Sequence, residues 1–263
     1  MTNRLASAFA KGHPAFVAYI MGGDPDRQTS QQFLNSLPEV GVDIIELGIP
    51  FTDPMADGPV IEEAGIRARK NGSSLRTVLD MAAEFREENR HTALILMGYA
   101  NPVYQMGYAK FAENADRAGV DGMIVVDLPP EEDGELREEM SKRGLSLIRL
   151  ATPTTDAARL PDVVSGSSGF VYYVSMTGVT GSALGDGSPQ SVSEQVAAVR
   201  DASGLPVVVG FGVKTPERAA EIARSADGVV VGSAIVKALH ESGEVDALAL
   251  VKSLADATHN AGT

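Results

Sequence analysis

Short runs of apolar residues recur along the chain at near-regular spacing, and amphipathic stretches lie between them. Ala15–Met21 (AFVAYIM) is apolar throughout, and similar runs fall at 44–48, 92–98, 122–126, 145–150, 170–175, 206–210 and 228–232. Runs of about five residues, β-branched and unbroken by polar positions, are expected for parallel strands covered on both faces. The intervening stretches predict helices over 33–40, 60–69, 75–89, 108–118 and 245–257, with a short leading helix around Leu5 and Phe9 and a charged helix ending near Arg143. Gly41 and Asn71-Gly72 stand where helices should stop, as residues that tolerate the left-handed cap. Turns of one kind lead into three of the strands: Gly41-Val42-Asp43, Gly119-Val120-Asp121 and Ala226-Asp227-Gly228. Eight strand–helix alternations in one chain predict an α/β fold, a single (β/α)8 TIM barrel over residues 1–263 with a short N-terminal helix and extra helices. An open doubly wound sheet is the alternative, but the first strand lacks the GxGxxG turn of dinucleotide binders.

Composition narrows the function classes. The chain has 263 residues, 44% of them hydrophobic, enough for one large core. Its formal charge of −13 argues against nucleic acid and anionic membranes as partners. Cysteine is absent, which excludes disulfides, thiolate catalysis and cysteine metal sites. No apolar run approaches the roughly 20 residues of a membrane span, and Lys11 interrupts the N-terminal apolar stretch, so a cytoplasmic protein is expected.

The candidate chemistry centres on residues 44–59, IIELGIPFTDPMADGP. Glu46 sits inside an apolar strand, where a carboxylate is costly unless paired or used. Pro50, Pro54 and Pro59 stiffen the following loop, which carries Asp53 and Asp57. Glu46 and Asp57 could face each other across a pocket as an acid/base pair. Equally, Glu46 could cap a loop and the two aspartates could form Asx turns.

Barrel enzymes work at the C-terminal ends of their strands and bind phosphate after strands 7 and 8. Glycine turns follow strands 6, 7 and 8: Gly178 to Gly181, Gly210-Phe211-Gly212, and Gly232-Ser233 directly before a helix. Together they predict an anion site built from backbone N–H groups. Of Tyr172 and Tyr173, one must face into the barrel; Arg149 should face the helices and extend its charged end to solvent. A Schiff-base aldolase needs a lysine at a strand end, and only Lys214 comes near one. A metal-dependent aldolase needs clustered histidines, whereas His13, His91, His240 and His259 are scattered along loops and helices. General acid/base chemistry without metal or other cofactor remains.

The segment ELGIPFTDPMADGP over 46–59 resembles the signature of the tryptophan synthase alpha chain family, and GVTG, GFG and GSA resemble its phosphate-binding turns. The resemblance implies cleavage of indole-3-glycerol phosphate to indole and glyceraldehyde 3-phosphate. Glu46 would shuttle the proton and Asp57 would stabilise the charge on the indole nitrogen. Tyr19, Ile61, Met97, Ile124, Leu150, Tyr172 and Phe211 would form the indole slot, and Gly181, Gly212, Gly232 and Ser233 would hold the phosphate. Thr180 would position Glu46. The resemblance also implies a beta chain carrying pyridoxal phosphate, in an alpha2-beta2 heterotetramer, with Asp53, Asn101 and Pro102 on loops at the shared interface. One departure is visible: the flap segment 181–189, GSALGDGSP, carries Asp186 where family members often have arginine or lysine. Two other readings stay open, a related phosphate-binding barrel of the same pathway and a barrel whose main role is to bind and activate a partner.

Overall fold

A computed structural model describes residues 4–175, 189–210 and 212–262 of the chain. Eight parallel strands close into a barrel in sequence order: β1 (Ala15–Met21), β2 (Ile44–Gly48), β3 (Ala93–Gly98), β4 (Gly122–Val125), β5 (Ser146–Ala151), β6 (Val171–Val174), β7 (Val207–Gly210) and β8 (Gly228–Val231), with β8 pairing back to β1. The closure decides against the open sheet. The surrounding helices are α1 (Arg4–Phe9), α2 (Arg27–Ser36), α3 (Pro59–Lys70), α4 (Leu75–Glu88), α5 (Ala100–Met106), α6 (Tyr108–Arg117), α7 (Gly134–Ser141), α8 (Leu160–Val164), α9 (Pro189–Ser203), α10 (Pro216–Ala223), α11 (Ser233–Ser242) and α12 (Glu244–His259). Among the described residues, no helix is long and apolar enough to cross a membrane.

Strand alternation sorts the apolar residues into two cores. Val17, Ile44, Ile95, Ile124, Ile148 and Val208 fill the barrel interior, and Leu5 and Ala8 of α1 pack against them to close it. Phe9 meets Phe170 edge-on at 5.7 Å between ring centres. The alternate strand residues, among them Phe16, Ile45, Leu47, Leu94, Leu96 and Val209, pack outward against the helices. Tyr172 belongs to the interior core and Tyr173 to the outer one.

The recurring Asp turns have a defined task at the N-terminal face. Asp43, just before β2, accepts the backbone N–H of Phe16 in β1 at 2.8 Å. Asp121, before β4, accepts that of Leu94 in β3 at 2.8 Å, and Asp227, before β8, that of Val207 in β7 at 2.7 Å. Ser168 takes the same place before β6, its hydroxyl accepting the N–H of Leu147 in β5 at 3.1 Å. The aspartates are also held by cations: Asp43 by Lys11, Asp121 by Arg4 and Arg86, Asp227 by Arg200.

Three sequence expectations need correction. Arg149 does face the helices, but it does not reach solvent. It is buried in an ion pair with Asp133, whose carboxylate lies at the start of α7. Asn101 and Pro102 lie in the first turns of α5, not on a loop, because Pro102 falls early enough in that helix to be tolerated. The histidines are not all scattered: His13 and His259 lie against each other, tilted, with ring centres 4.0 Å apart.

Candidate active site

Glu46 lies on the inward face of β2, in register with Tyr19 of β1 and Ile95 of β3. It is 1% exposed, and among the described residues neither carboxylate oxygen has a hydrogen-bond partner. Burial first, and then the nearby charge of Asp57, push its carboxyl up to about 8. A carboxyl group kept unpaired and poised near neutrality can both take and give a proton at working pH.

Asp57 reaches the same cavity from the loop between β2 and α3. The backbone N–H of Ala56 donates to the Tyr99 hydroxyl at 3.1 Å, and Tyr99 in turn hydrogen-bonds Asp57. Tyr99 also stacks on Phe51 of the loop at 5.0 Å, which fixes the phenol against the segment that carries Asp57. Burial raises the Asp57 carboxyl, the Tyr99 hydrogen bond opposes it, and Glu62 adds a further upward push. The sequence reading missed Tyr99. The signal was its position two residues beyond Met97 and four beyond Ile95, on the inward side of the end of β3.

Tyr19, Glu46, Asp57, Ile61, Met97, Tyr172, Gly212, Gly232 and Ser233, all anticipated from sequence, line one cavity at the C-terminal end of the barrel. Ala56, Gly58, Val213, Lys214 and Val230 complete its lining. Ile124 is not brought to it and packs deeper in the barrel interior. Leu150 also packs against that interior core and lines a separate cleft beside Arg149 and Asp133. Thr180, Gly181 and Phe211, with the flap glycines, lie outside the described residues.

Two glycines make room for the tyrosines. A Cβ on Gly48 would collide with the Tyr19 phenol, and one on Gly210 with that of Tyr172. Each glycine is a strand-end residue on the inward face, so the neighbouring strand's aromatic ring can lie across it. Gly210→Ala is therefore expected to destabilise the protein by about 1–3 kcal/mol through overpacking and to lower activity by displacing Tyr172 into the cavity. Urea unfolding beside steady-state turnover tests this, and unchanged stability would show that the ring moves aside without cost.

The opposite wall is suited to an anion. Gly212 takes φ +76°, a backbone open to glycine. Ser233 opens α11, a helix whose first N–H groups have no side-chain cap. Lys214, exposed, lies on the same wall. Its position among the glycine turns, without the desolvation that activates a Schiff-base amine, fits charge pairing better than covalent chemistry.

The comparisons with known proteins agree with this arrangement. The family described as "Tryptophan synthase alpha chain" matches residues 5–261. Tryptophan synthase subunit alpha from Legionella pneumophila str. Paris is 38% identical, covering 99% of this chain and 100% of that one, with a TM-score of 0.91. A chain of tryptophan synthase from M. tuberculosis, in its aminoacrylate-bound form, is 35% identical over 97% of this chain and 99% of that one, with a TM-score of 0.87. With a match over nearly its whole length, the chain belongs to the tryptophan synthase alpha chain family, which catalyses the lyase reaction on indole-3-glycerol phosphate.

Proposed function

We propose that Glu46 and Asp57 carry out the retro-aldol cleavage of indole-3-glycerol phosphate, giving indole and D-glyceraldehyde 3-phosphate without a cofactor in this chain. The observation that carries the reading is the unpaired, buried Glu46 carboxyl facing the same cavity as Asp57. Glu46 takes the proton of the substrate's C3′ hydroxyl and protonates the indole ring at C3. The carbon–carbon bond breaks as the aldehyde forms and the electron pair returns to the indole. Asp57, held by Tyr99, accepts the indole N–H and offsets the positive charge that develops when C3 is protonated. Tyr19, Ile61, Met97 and Tyr172 supply the apolar walls, and Gly212, Gly232 and Ser233 present N–H groups to the phosphate. The test is release of indole from indole-3-glycerol phosphate by the purified chain. Failure to release it, alone and with a beta chain, would sink the assignment.

Lys214 takes a role that the segment 181–189, with no basic residue, cannot fill. Lys214 lines the cavity together with the phosphate-binding turns, and in this reading its ammonium pairs with the phosphate dianion. Lys214→Ala is expected to raise KM about three- to tenfold with little change in kcat, the range for a partly solvated ion pair. A fall in kcat at unchanged KM would assign Lys214 to the chemical step instead.

The partner in this reading is a tryptophan synthase beta chain, in an alpha2-beta2 assembly whose beta chain holds the pyridoxal phosphate and consumes the indole. Asp53, on the loop after β2, and Asn101, in the first turn of α5 after β3, are exposed at the catalytic end, and the large apolar side chains of Met55 and Tyr104 are exposed beside them in sequence. Apolar side chains this exposed gain from burial against another chain. The single barrel acts in the cytoplasm, where both chains are made.

A further inference from the structure

At the opposite end of the barrel, three side chains distant in sequence converge: His13 before β1, Asp43 before β2 and His259 at the last turn of α12. One potential ligand atom from each lies within 4.8 Å of the other two. We propose that His13, Asp43 and His259 bind one divalent transition-metal cation, zinc foremost, which ties the C-terminal helix to the bottom of the barrel.

Two imidazole nitrogens and one carboxylate oxygen form a donor set suited to zinc, with a fourth position left to water. The neighbouring contacts orient each ligand as second-shell partners do. His13 Nδ1–H donates to the Pro14 carbonyl at 3.0 Å, which fixes the tautomer and leaves Nε2 with its lone pair. Lys11 Nζ donates to Asp43 Oδ1 at 2.6 Å, so Oδ2 is the oxygen that turns toward the imidazoles. That oxygen accepts the Phe16 N–H at 2.8 Å and lies 2.8 Å from His259 Nε2. In the metal-free protein the latter contact is a hydrogen bond. The cation takes the place of the His259 Nε2 proton, and the neutral ring then carries its one proton on Nδ1.

Asp43 is almost fully buried, its side chain 2% exposed, while His259 keeps 22%, so the carboxylate is anchored and the imidazole side is open to an incoming ion. The two rings already lie 4.0 Å apart, tilted by 43°, so small ring rotations would aim both nitrogens at one point. None of the three residues touches the catalytic cavity, and the site is distinct from the lyase chemistry.

The test uses chelator-stripped protein without a histidine tag. Titration with Co2+ is followed by visible absorption and with Zn2+ by calorimetry and thermal melting. The expected result is one saturable equivalent, a four-coordinate cobalt spectrum and a Tm that rises with zinc. His13→Phe keeps the ring contact and His259→Gln keeps a donor to Asp43. Each should weaken binding at least about tenfold while the far-ultraviolet spectrum and basal turnover stay unchanged. Absence of saturable one-equivalent binding, or undiminished binding in either variant, overturns the proposal.

Discussion

Glu46→Gln is expected to reduce cleavage of indole-3-glycerol phosphate by at least about 10²-fold, toward the upper end of what a general acid/base contributes. In the proposed mechanism the same carboxyl serves both proton transfers, and its oxygens have no partner among the described residues to take over either one. Folding should not suffer, because an amide of nearly the same shape removes a buried charge. The pH dependence supplies the sharper check. Burial and Asp57 raise the Glu46 carboxyl to about 8, against an ordinary value of 4.5 in an unfolded chain. Between those values the unfolded state has lost a proton that the native state still holds, so Glu46 removes stability progressively as pH rises, with the full penalty above about 8. The Tm of the variant relative to the parent should therefore increase from about pH 5 to about pH 9. In the parent, kcat/KM should climb with pH and level off above about 8, since the base must be ionised to take the hydroxyl proton. Retention of more than about a tenth of parental turnover would remove Glu46 from the proton-transfer role.

Asp57→Asn should lower turnover by about 10²–10³-fold and leave phosphate affinity nearly intact. An amide can occupy the same place beside Tyr99, but it cannot offset a full positive charge on the indole nitrogen. The change has a second consequence at Glu46. Asp57 is the second cause of its raised carboxyl, after burial, so removing that charge moves the rising limb of the pH profile to lower pH. Binding of indole-propanol phosphate, measured beside turnover in one preparation, separates the roles. Weak binding with normal turnover at saturation would make Asp57 structural, and an unmoved pH limb would deny the coupling.

Much of this was legible in the chain because most strand residues are apolar on both faces and the turns into β2, β4 and β8 repeat a chemical type. The fates of single polar residues were less so. The face of Arg149 followed from alternation, yet its partner, Asp133, lies on the preceding connection, and nothing local announces the pairing. Helix α5 was hidden by Asn101-Pro102, a dipeptide that reads as a turn when its place in the first turns of a helix is unknown. Glu46 and Asp57 were accessible because the loop between them is short and stiff. Tyr99 was accessible in principle, by counting from Ile95, but phenols at strand ends are common in ordinary cores. His259 and Asp43 are 216 residues apart, and only closure of β8 onto β1 brings the C-terminal helix back to the first strands.

The side-chain acceptors at the bottom of the barrel have a bearing on how such a chain can be recombined. Asp43, Asp121, Ser168 and Asp227 each stitch an even-numbered strand's approach to the odd-numbered strand before it, β1 with β2, β3 with β4, β5 with β6 and β7 with β8. The stitches therefore divide the ring into quarters, each carrying its own seam. A crossover point placed between quarters transfers donor and acceptor together into a chimera, whereas one placed inside a quarter parts a backbone N–H from its side-chain acceptor, a carboxylate in three cases of the four. Gene libraries shuffled among homologues should accordingly tolerate exchange in units of two strands more readily than in units of one.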